Sequence, residues 1–397
     1  MLRSRHLAER RESGPAAVVG VVVTHNRREL LVRCLEALAA QEHPVAEVVL
    51  VDNASTDGTL ERVAECGVAD RIPIRAVRLR RNGGGAEGFH YGVRQALRLD
   101  SDWLWLMDDD CEPAPDTLAA LLRSPRAAET ETAVLAPVVA DGDGNVLPVN
   151  RGHVRPRWFF SSLVAASPGE NASGETEIGF CSFVGPVVRT EAARRIGLPM
   201  REMFIRFEDV EYLSRIRPRE RMWLVASSRI VHRDPRPVAG ADLRAMWSDY
   251  SQRIPFAQQW KRLYGFRNQL FCGFRGGYFR PWHALSQLAV QAVRTLLFHE
   301  RRLLTLRLLA LYGLDGWRGR FRNLPPARWP ELAGERRPAA LIESEAIDYS
   351  EDVAEPAHRI GPAPSGLPRP EDGAPLPGPE GAEDVPPAVA REAHDPR

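Results

Sequence analysis

Between residues 16 and 140 the sequence switches back and forth between two hydrophobic periods, and few architectures accommodate that. The run AAVVGVVVTHN, from Ala16, is continuous and β-branched, the pattern of a strand buried on both faces. RRELLVRCLEALAAQ then sets Leu30, Leu31, Cys34, Leu35 and Leu38 on one helical stripe. AEVVLVDNAS reads as a second buried strand, and a short helix runs from Asp57 and Gly58 to about Gly67. IRAVRLRRN is a third strand, and GGGAEGFHYGVRQALRL opens as a glycine turn and continues as a helix. DWLWLM is a fourth strand, PDTLAALLRS a helix whose Pro115 and Asp116 suit its N-terminus, and AVLAPVVAD closes the series. Such alternation implies an α/β fold with a mostly parallel sheet covered by helices, whose ligands bind at the carboxyl ends of the strands.

Beyond residue 140 the signal is more varied. Residues 141–180 read as irregular, VGPVVRTEAARRIG as strand then helix, and MREMFIRFEDVEYLSRIR as loop then helix. RMWLVASSRIVHRD is a strand that ends at His232. From about Ala245 the pattern becomes helical, and residues 255–337 carry 15 basic against 4 acidic side chains around apolar runs. From Pro338 onward there are 13 acidic and 4 basic residues among Pro, Gly, Ala and Glu, a composition that predicts disorder. The whole chain, at 53 basic against 52 acidic, is thus a basic body with an acidic tail, and the body suits anionic substrates or an anionic membrane surface.

The five cysteines are scattered and never form a Cys-x-x-Cys pair, which argues against a disulfide framework or structural zinc and for a reducing compartment. The arginine-rich start contains Glu9 and Glu12, and its apolar run ends in THNRRE, so it reads as a strand rather than a leader. No run reaches the roughly 18 apolar residues that a spanning helix needs. Without a leader, the glycosylation sequon at Asn171-Ala-Ser173 is discounted.

Four polar segments, THN, VDNAS, RRN and DDD, each follow a strand and converge on one rim. Three adjacent carboxylates repel, and a divalent cation would offset that. Alternate strand residues share a side, so Asp108 and Asp110 can meet one ion while Asp109 points elsewhere. Their hard oxygens suit Mg²⁺ or Mn²⁺, which bridge to pyrophosphates. The competing reading is a solvated acidic loop that caps the next helix. RRNGGGAEGF permits close backbone approach to a phosphate at a helix N-terminus. Gly83-x-Gly85-x-x-Gly88 also matches a dinucleotide fingerprint, although that motif belongs after a first strand and this first strand ends without glycine.

Asp52, Asn53 and Ser55 could read a uracil edge or a ribose hydroxyl, or simply cap a helix, and Thr24, Asn26 and Arg27 share the ambiguity. Glu208, Asp209 and Glu211 open a helix, as dipole partners or as a source of a general base. His232 ends its strand on the same rim, as a third metal ligand or a structural histidine.

Taken together, VVVTHNR, VLVDNASTDGT, RRNGGGAEGF, DWLWLMDDD, FIRFEDVEY and VHRD resemble the family 2 inverting glycosyltransferases of the GT-A fold. Within them the likeness is greatest to actinobacterial galactofuranosyltransferases that start the cell-wall galactan. It spans Val18 to Asp234, with YGFRNQL and DGWRGRF as looser matches. The resemblance implies that Asp108 and Asp110 bind a metal ion and, with Asp109, the UDP-sugar, and that His232 completes the metal shell. Asp209 would be the catalytic base, with Glu208 or Glu211 as the neighbour that positions acceptor hydroxyls. Thr24, Arg27, Asp52, Asn82, Gly83 and Gly84 would line the nucleotide. Relatives carry a small residue where Glu87 stands here, which leaves the sugar open.

The resemblance further implies a Mn²⁺ or Mg²⁺ cofactor, a UDP-sugar donor, a polyprenyl-linked glycan acceptor and no nucleic-acid partner. The expected location is cytoplasmic, peripheral on the inner face of the cell membrane. The expected organisation is a disordered 1–15, a GT-A catalytic domain over 16–245, a membrane-associating helical region over 246–337 and a disordered tail over 338–397. A rhamnosyltransferase or another family 2 enzyme, a nucleotide-dependent oxidoreductase and an inactive sugar-nucleotide-binding protein are the alternatives.

Overall fold

The computed structural model describes residues 15–156, 161–166, 174–216, 220–234, 250–275 and 281–360. The alternating region supplies β1 (Val18–Thr24), β2 (Glu47–Asp52), β3 (Ile74–Arg78), β4 (Trp103–Asp108), β5 (Cys111–Pro113) and β6 (Thr132–Ala140). They are followed by β7 (Arg151–Pro156), β8 (Ser161–Ala165), β9 (Glu175–Ile178), β10 (Phe180–Cys181), β11 (Val184–Arg189), β12 (Arg221–His232) and β13 (His358–Ile360). The central sheet has the order β13-β3-β2-β1-β4-β11-β6-β12-β5, with β9 also on β12. β1 is parallel to β2 and β4, β2 to β3, and β6 to β12, while β11 runs antiparallel between β4 and β6. Hence β3, β2, β1, β4, β6 and β12 all point one way and share a carboxyl rim. The fold is the expected α/β class with a mostly parallel central sheet.

Strand alternation explains how the apolar runs are used. Every residue of β1 is buried; Val19, Val21 and Val23 enter one core, Val18 and Val22 the opposite one. In β4, Leu104 and Leu106 take the first face and Trp103, Trp105 and Met107 the second, so the tryptophans before the aspartates are core. Burying one such aliphatic side chain is worth about 1.5–3 kcal/mol, which makes β1 and β4 the energetic centre of the sheet. The helix Gly84–Ala96 lies unusually close to β1. A Cβ at Gly88 would stand 2.4 Å from Val23 Cγ1, and one at Gly92 2.5 Å from Val21 Cγ1.

A third core belongs to the helices Trp260–Arg275, Pro281–Phe298 and Arg302–Arg318, around Leu263, Tyr264, Leu309, Tyr312 and Trp329.

Two expectations are corrected. Residues 141–180 are not wholly irregular, since β10-β7-β8 form a separate small sheet and β9 extends the large one. The tail was expected to be disordered from Pro338, yet residues 338–360 are folded onto the body. The helix Pro338–Glu345 buries Ile342, Tyr349 and Val353 are buried, and β13 pairs antiparallel with β3. Low apolar content misled because Ile342 and Val353 enter cores that the rest of the chain has already built. The expected disorder of residues 1–14 and 361–397, the sequon at Asn171 and the boundary near 245 fall outside the described residues.

Candidate functional site

The rim is assembled by strand order. β1 and β4 are neighbours, so Thr24, at the end of β1, donates from Oγ1 to Asp109 Oδ2 at 2.7 Å. Asp109 is not turned away from Asp110, however: strand β4 ends at Asp108, and Arg27 Nη1 lies 3.6 Å from Asp109 Oδ1 and 2.7 Å from Asp110 Oδ2. β5 runs antiparallel to the end of β12 and pairs Cys111 with His232, which brings the imidazole to Asp110. His232 Nε2 lies 3.1 Å from Asp110 Oδ1, and Arg27 Nη1 donates to Asp110 Oδ2 at 2.7 Å. Arg27 Nη2 reaches Asp234, also at 2.7 Å.

The carboxylates feel one another. Burial, then Asp110 and Asp109, push the Asp108 carboxyl well above the usual range, and Glu208 adds to the push. Burial raises Asp109 to about 7, against the hydrogen bond from Thr24. Burial also opposes ionisation of Asp110, but His232 and Arg27 outweigh it and hold Asp110 low. Burial pulls His232 down, and Asp110 and Asp108 more than reverse that.

At the next strand ends, Asp52 Oδ1 accepts from Ser55 N at 2.9 Å, as a turn cap. Asn53 bridges to the glycine turn, its Nδ2 donating to the Gly84 carbonyl at 2.8 Å and its Oδ1 accepting from Gly83 N at 3.2 Å. Asn82 Oδ1 accepts from Gly84 N at 2.9 Å. Gly84 must be glycine on two counts: its φ is +84°, and a Cβ would sit 2.0 Å from the Phe204 carbonyl oxygen.

Phe204 opens the segment that carries the second set of acids. Phe204, Arg206 and Phe207 have φ of 67°, 67° and 68°, a left-handed run that costs on the order of 1–3 kcal/mol per residue. The helix Glu208–Ser214 starts immediately afterwards. Glu208 Oε1 lies 3.6 Å from where a Cβ on Gly85 would be, so this acid faces the glycine turn as well as Asp108. Asp209 lies on the side of the buried Arg151 and Cys181, whose ionisation it influences. Glu211 is paired with Arg215 at 3.1 Å.

What holds the strained run is a buried polar group that sequence reasoning passed over, although its first two members sit in YGFRNQL. Asn268 Nδ2 donates to the carbonyls of Met203, Ile205 and Arg206 at 2.8, 3.1 and 2.8 Å. Arg267 Nε fixes Asn268 Oδ1 at 3.0 Å, and its Nη1 donates to Asn323 Oδ1 at 2.7 Å. Asn323 Nδ2 in turn holds the Glu202 carbonyl at 2.7 Å. All three side chains are fully buried. Asn268→Ala strands the carbonyls of Ile205 and Arg206, while that of Met203 keeps Arg267 Nη2 and the Ile205 amide, and each orphaned buried group costs about 1–3 kcal/mol. The variant is expected to lower the melting temperature and to cut turnover about 10²-fold through misplacement of Glu208 and Asp209. UDP affinity should change less than tenfold, a split readable by calorimetry beside initial rates.

The donor atoms at the rim, carboxylate oxygens and an imidazole, are of the kind that divalent cations take. Asp110 Oδ1 approaches His232 without hydrogen-bond alignment, and His232 Nδ1 is buried without a partner among the described residues. Among the described residues, however, no group of three or more His, Cys, Asp or Glu is arranged so that it could hold a metal ion. Arg27 supplies the countercharge in its stead.

A carboxylate cluster and a histidine on the carboxyl rim of a mostly parallel sheet define an α/β ligand-binding protein with an acidic site. Residues 21–197 match the family model described as Glycosyl transferase family 2. It is 34% identical over 204 residues to Galactofuranosyltransferase GlfT1 of Mycolicibacterium smegmatis, covering 50% of this chain and 65% of that protein. Against the GlfT1 of Mycobacterium tuberculosis strain H37Rv the identity is 34% over 207 residues, 50% of this chain and 64% of the relative. The chain thus spans just under two thirds of the length of these relatives. Among solved structures it is similar to GalNAc-T7 with UDP, GalNAc and Mn²⁺, at a TM-score of 0.47 and 16% identity over 79% of this chain and 59% of that one. Mannosyltransferase PcManGT from Pyrobaculum calidifontis, in complex with GDP-Man and Mn²⁺, gives 0.44 and 18% over 87% and 91%.

Proposed function

We propose that the protein is a metal-dependent inverting glycosyltransferase that moves galactofuranose from UDP-galactofuranose to a lipid-linked glycan acceptor. The observation that carries the reading is the meeting of Asp110 with His232, 3.1 Å apart, on the carboxyl rim at the end of β4. Glu208, at the start of the helix Glu208–Ser214, faces the glycine turn. The named relatives support the sugar. Asp108, Asp110 and His232 would hold Mn²⁺ or Mg²⁺, which when bound offsets charge on the departing diphosphate. Thr24, Arg27, Asp52, Asn82, Gly83, Gly84 and Asp109 would surround the nucleotide, several by fixing the turns that it contacts.

Asp209 would accept the proton of an acceptor hydroxyl as its oxygen bonds to the anomeric carbon. The bond to UDP breaks on the opposite face, its electron pair leaves on the diphosphate, and the configuration inverts in one displacement. A second reading makes Glu208 the base, because it is the acid facing both Asp108 and Gly85. Glu211, tied to Arg215, would support the acceptor side.

The test is a donor screen with the full chain, Mn²⁺ and a lipid extract as acceptor source. UDP-galactofuranose should yield a lipid-bound product. Transfer from dTDP-rhamnose alone would overturn the sugar and leave the class.

The acceptor reading places the protein on a membrane surface. No helix among the described residues is long and apolar enough to cross one. The helices Pro281–Phe298 and Arg302–Arg318 instead expose Trp282, Leu285, Leu296, Leu303 and Trp317, at 45 to 75%. These positions recur at helical spacing among exposed arginines, the pattern of an interfacial surface. The full chain is expected to float with phosphatidylglycerol vesicles at low salt and less at high salt. A chain that never floats sinks this part of the proposal.

A further inference from the structure

The turn between those two helices holds a pocket of about 620 Å³. Arg253, His299, Arg301 and Arg302 line it, with Leu297 and Leu303 at its apolar side; Glu300 is its one acidic wall residue. His299 is 3% exposed, yet neither Nδ1 nor Nε2 has a hydrogen-bond partner among the described residues. Two orphaned nitrogens on one buried ring are rare, because each forfeits the hydrogen bonds that water would have supplied. Burial, then Arg262 and Arg294, hold His299 down at about 4, so near neutral pH the ring is uncharged and keeps one donor and one acceptor.

The surrounding charge is uneven. Arg262 is committed to Gln291 and Thr295, and Arg301 Nη1 donates to the Ala333 carbonyl at 2.7 Å. Arg253 and Arg302 are exposed and have no acidic partner among the described residues. Arg302, Leu303 and Leu304 form the first turn of the 17-residue helix Arg302–Arg318, whose unpaired amides add positive potential at the pocket. Planar guanidinium groups and helix amides together favour a tetrahedral oxyanion with several acceptor oxygens. Leu297 and Leu303, at 54 and 75% exposure, continue the pocket wall into the apolar stripes of both helices.

We propose that this pocket binds the terminal phosphate of an amphiphile, with His299, Arg253 and Arg302 on the phosphate and the apolar chain lying along Leu297 and Leu303. The proposal deepens the membrane half of the function above and rests on it. It does not depend on which sugar is transferred, or on whether any is.

The experiment uses the full chain and phosphatidylcholine vesicles that carry either phosphatidic acid, which has a terminal phosphate, or phosphatidylglycerol at the same surface charge. Binding to phosphatidic acid should be tighter by about tenfold or more, equivalent to about 1.4 kcal/mol. Inorganic phosphate and pyrophosphate should compete. In the Arg253→Gln, Arg302→Gln double variant the preference should vanish while binding to phosphatidylglycerol persists. Both positions are exposed, so the melting temperature should hold; His299→Leu, which removes the orphaned nitrogens, is the second variant and should also lose the preference. Equal binding to the two vesicles, or a preference that survives the double variant, overturns the proposal. Saturable binding of free phosphate without any vesicle preference overturns the amphiphile and leaves a soluble anion. A dimer that buries Leu297 and Leu303 and that vesicles do not dissociate overturns it in favour of a second copy. Floating on phosphatidylglycerol tests the membrane reading separately, so failure of the pocket is told apart from failure of that reading.

Discussion

Asp110→Asn is expected to abolish transfer and the divalent-dependent part of UDP binding while the fold persists. Asp110 is buried, unlike the solvent-facing rim residue that its sequence context implies, so an isosteric amide is a cleaner change than alanine. The amide can still accept from Arg27, and the loss of one charge relieves the repulsion that raises Asp108. Fold stability should therefore change little. Transfer should not survive, because a lost metal contact at a developing charge costs several kcal/mol and each 1.4 kcal/mol is about tenfold in rate. Initial rates, UDP titration with and without EDTA, and a melt of the same sample decide it. Full activity of the variant, or of the parent in EDTA, would falsify the metal assignment.

The second large effect separates the two acids that open the helix Glu208–Ser214. Asp209→Asn keeps shape and removes the proton acceptor, so turnover should fall about 10²-fold or more with UDP affinity held. Glu208→Gln should weaken donor handling as well, since Glu208 faces the glycine turn and helps to raise the Asp108 carboxyl. If Glu208→Gln is the dead variant and Asp209→Asn retains turnover, the base is Glu208. Their geometry differs enough, one facing the aspartates and the other Arg151, that both variants losing activity equally would point to the loop rather than to either carboxylate.

Much of this was legible in the sequence because buried parallel strands need continuous apolar runs, and β1, β2 and β4 have them. The convergence of Thr24, Asp108–Asp110 and His232 followed from the rule that strand ends share a rim. The pairing of β5 with β12 was not legible: three residues, Cys111–Pro113, carry no period, and only the ladder shows that His232 meets Asp110. Arg267 and Asn268 were hidden inside an apolar helix, where a buried arginine looks like a solvated one until its carbonyl partners are known. The left-handed run at Phe204, Arg206 and Phe207 has no glycine to announce it, because distant side chains impose it. Residues 338–360 were misjudged because composition measures whether a segment can build a core, and this one only has to join cores that exist.

The pairing of β13 with β3 also bears on how the chain is made. β3 is the outer strand of the parallel block, and an uncovered outer strand offers its free amides and carbonyls to other chains. Residues 358–360 are synthesised almost three hundred residues after the strand that they cover. During synthesis the amino-terminal half of the sheet thus emerges with one side open, and that side closes only when nearly all the described chain has left the ribosome. A shortened version ending at 337, which by composition looks like a sensible place to cut, would keep every acid of the site. It would lack the strand that shields β3, the Tyr349 hydroxyl that bonds Asn323 at 3.0 Å, and the Val353 amide that bonds the Tyr91 hydroxyl at 3.0 Å. Association between copies through that bared side would then be mistaken for a property of the native protein.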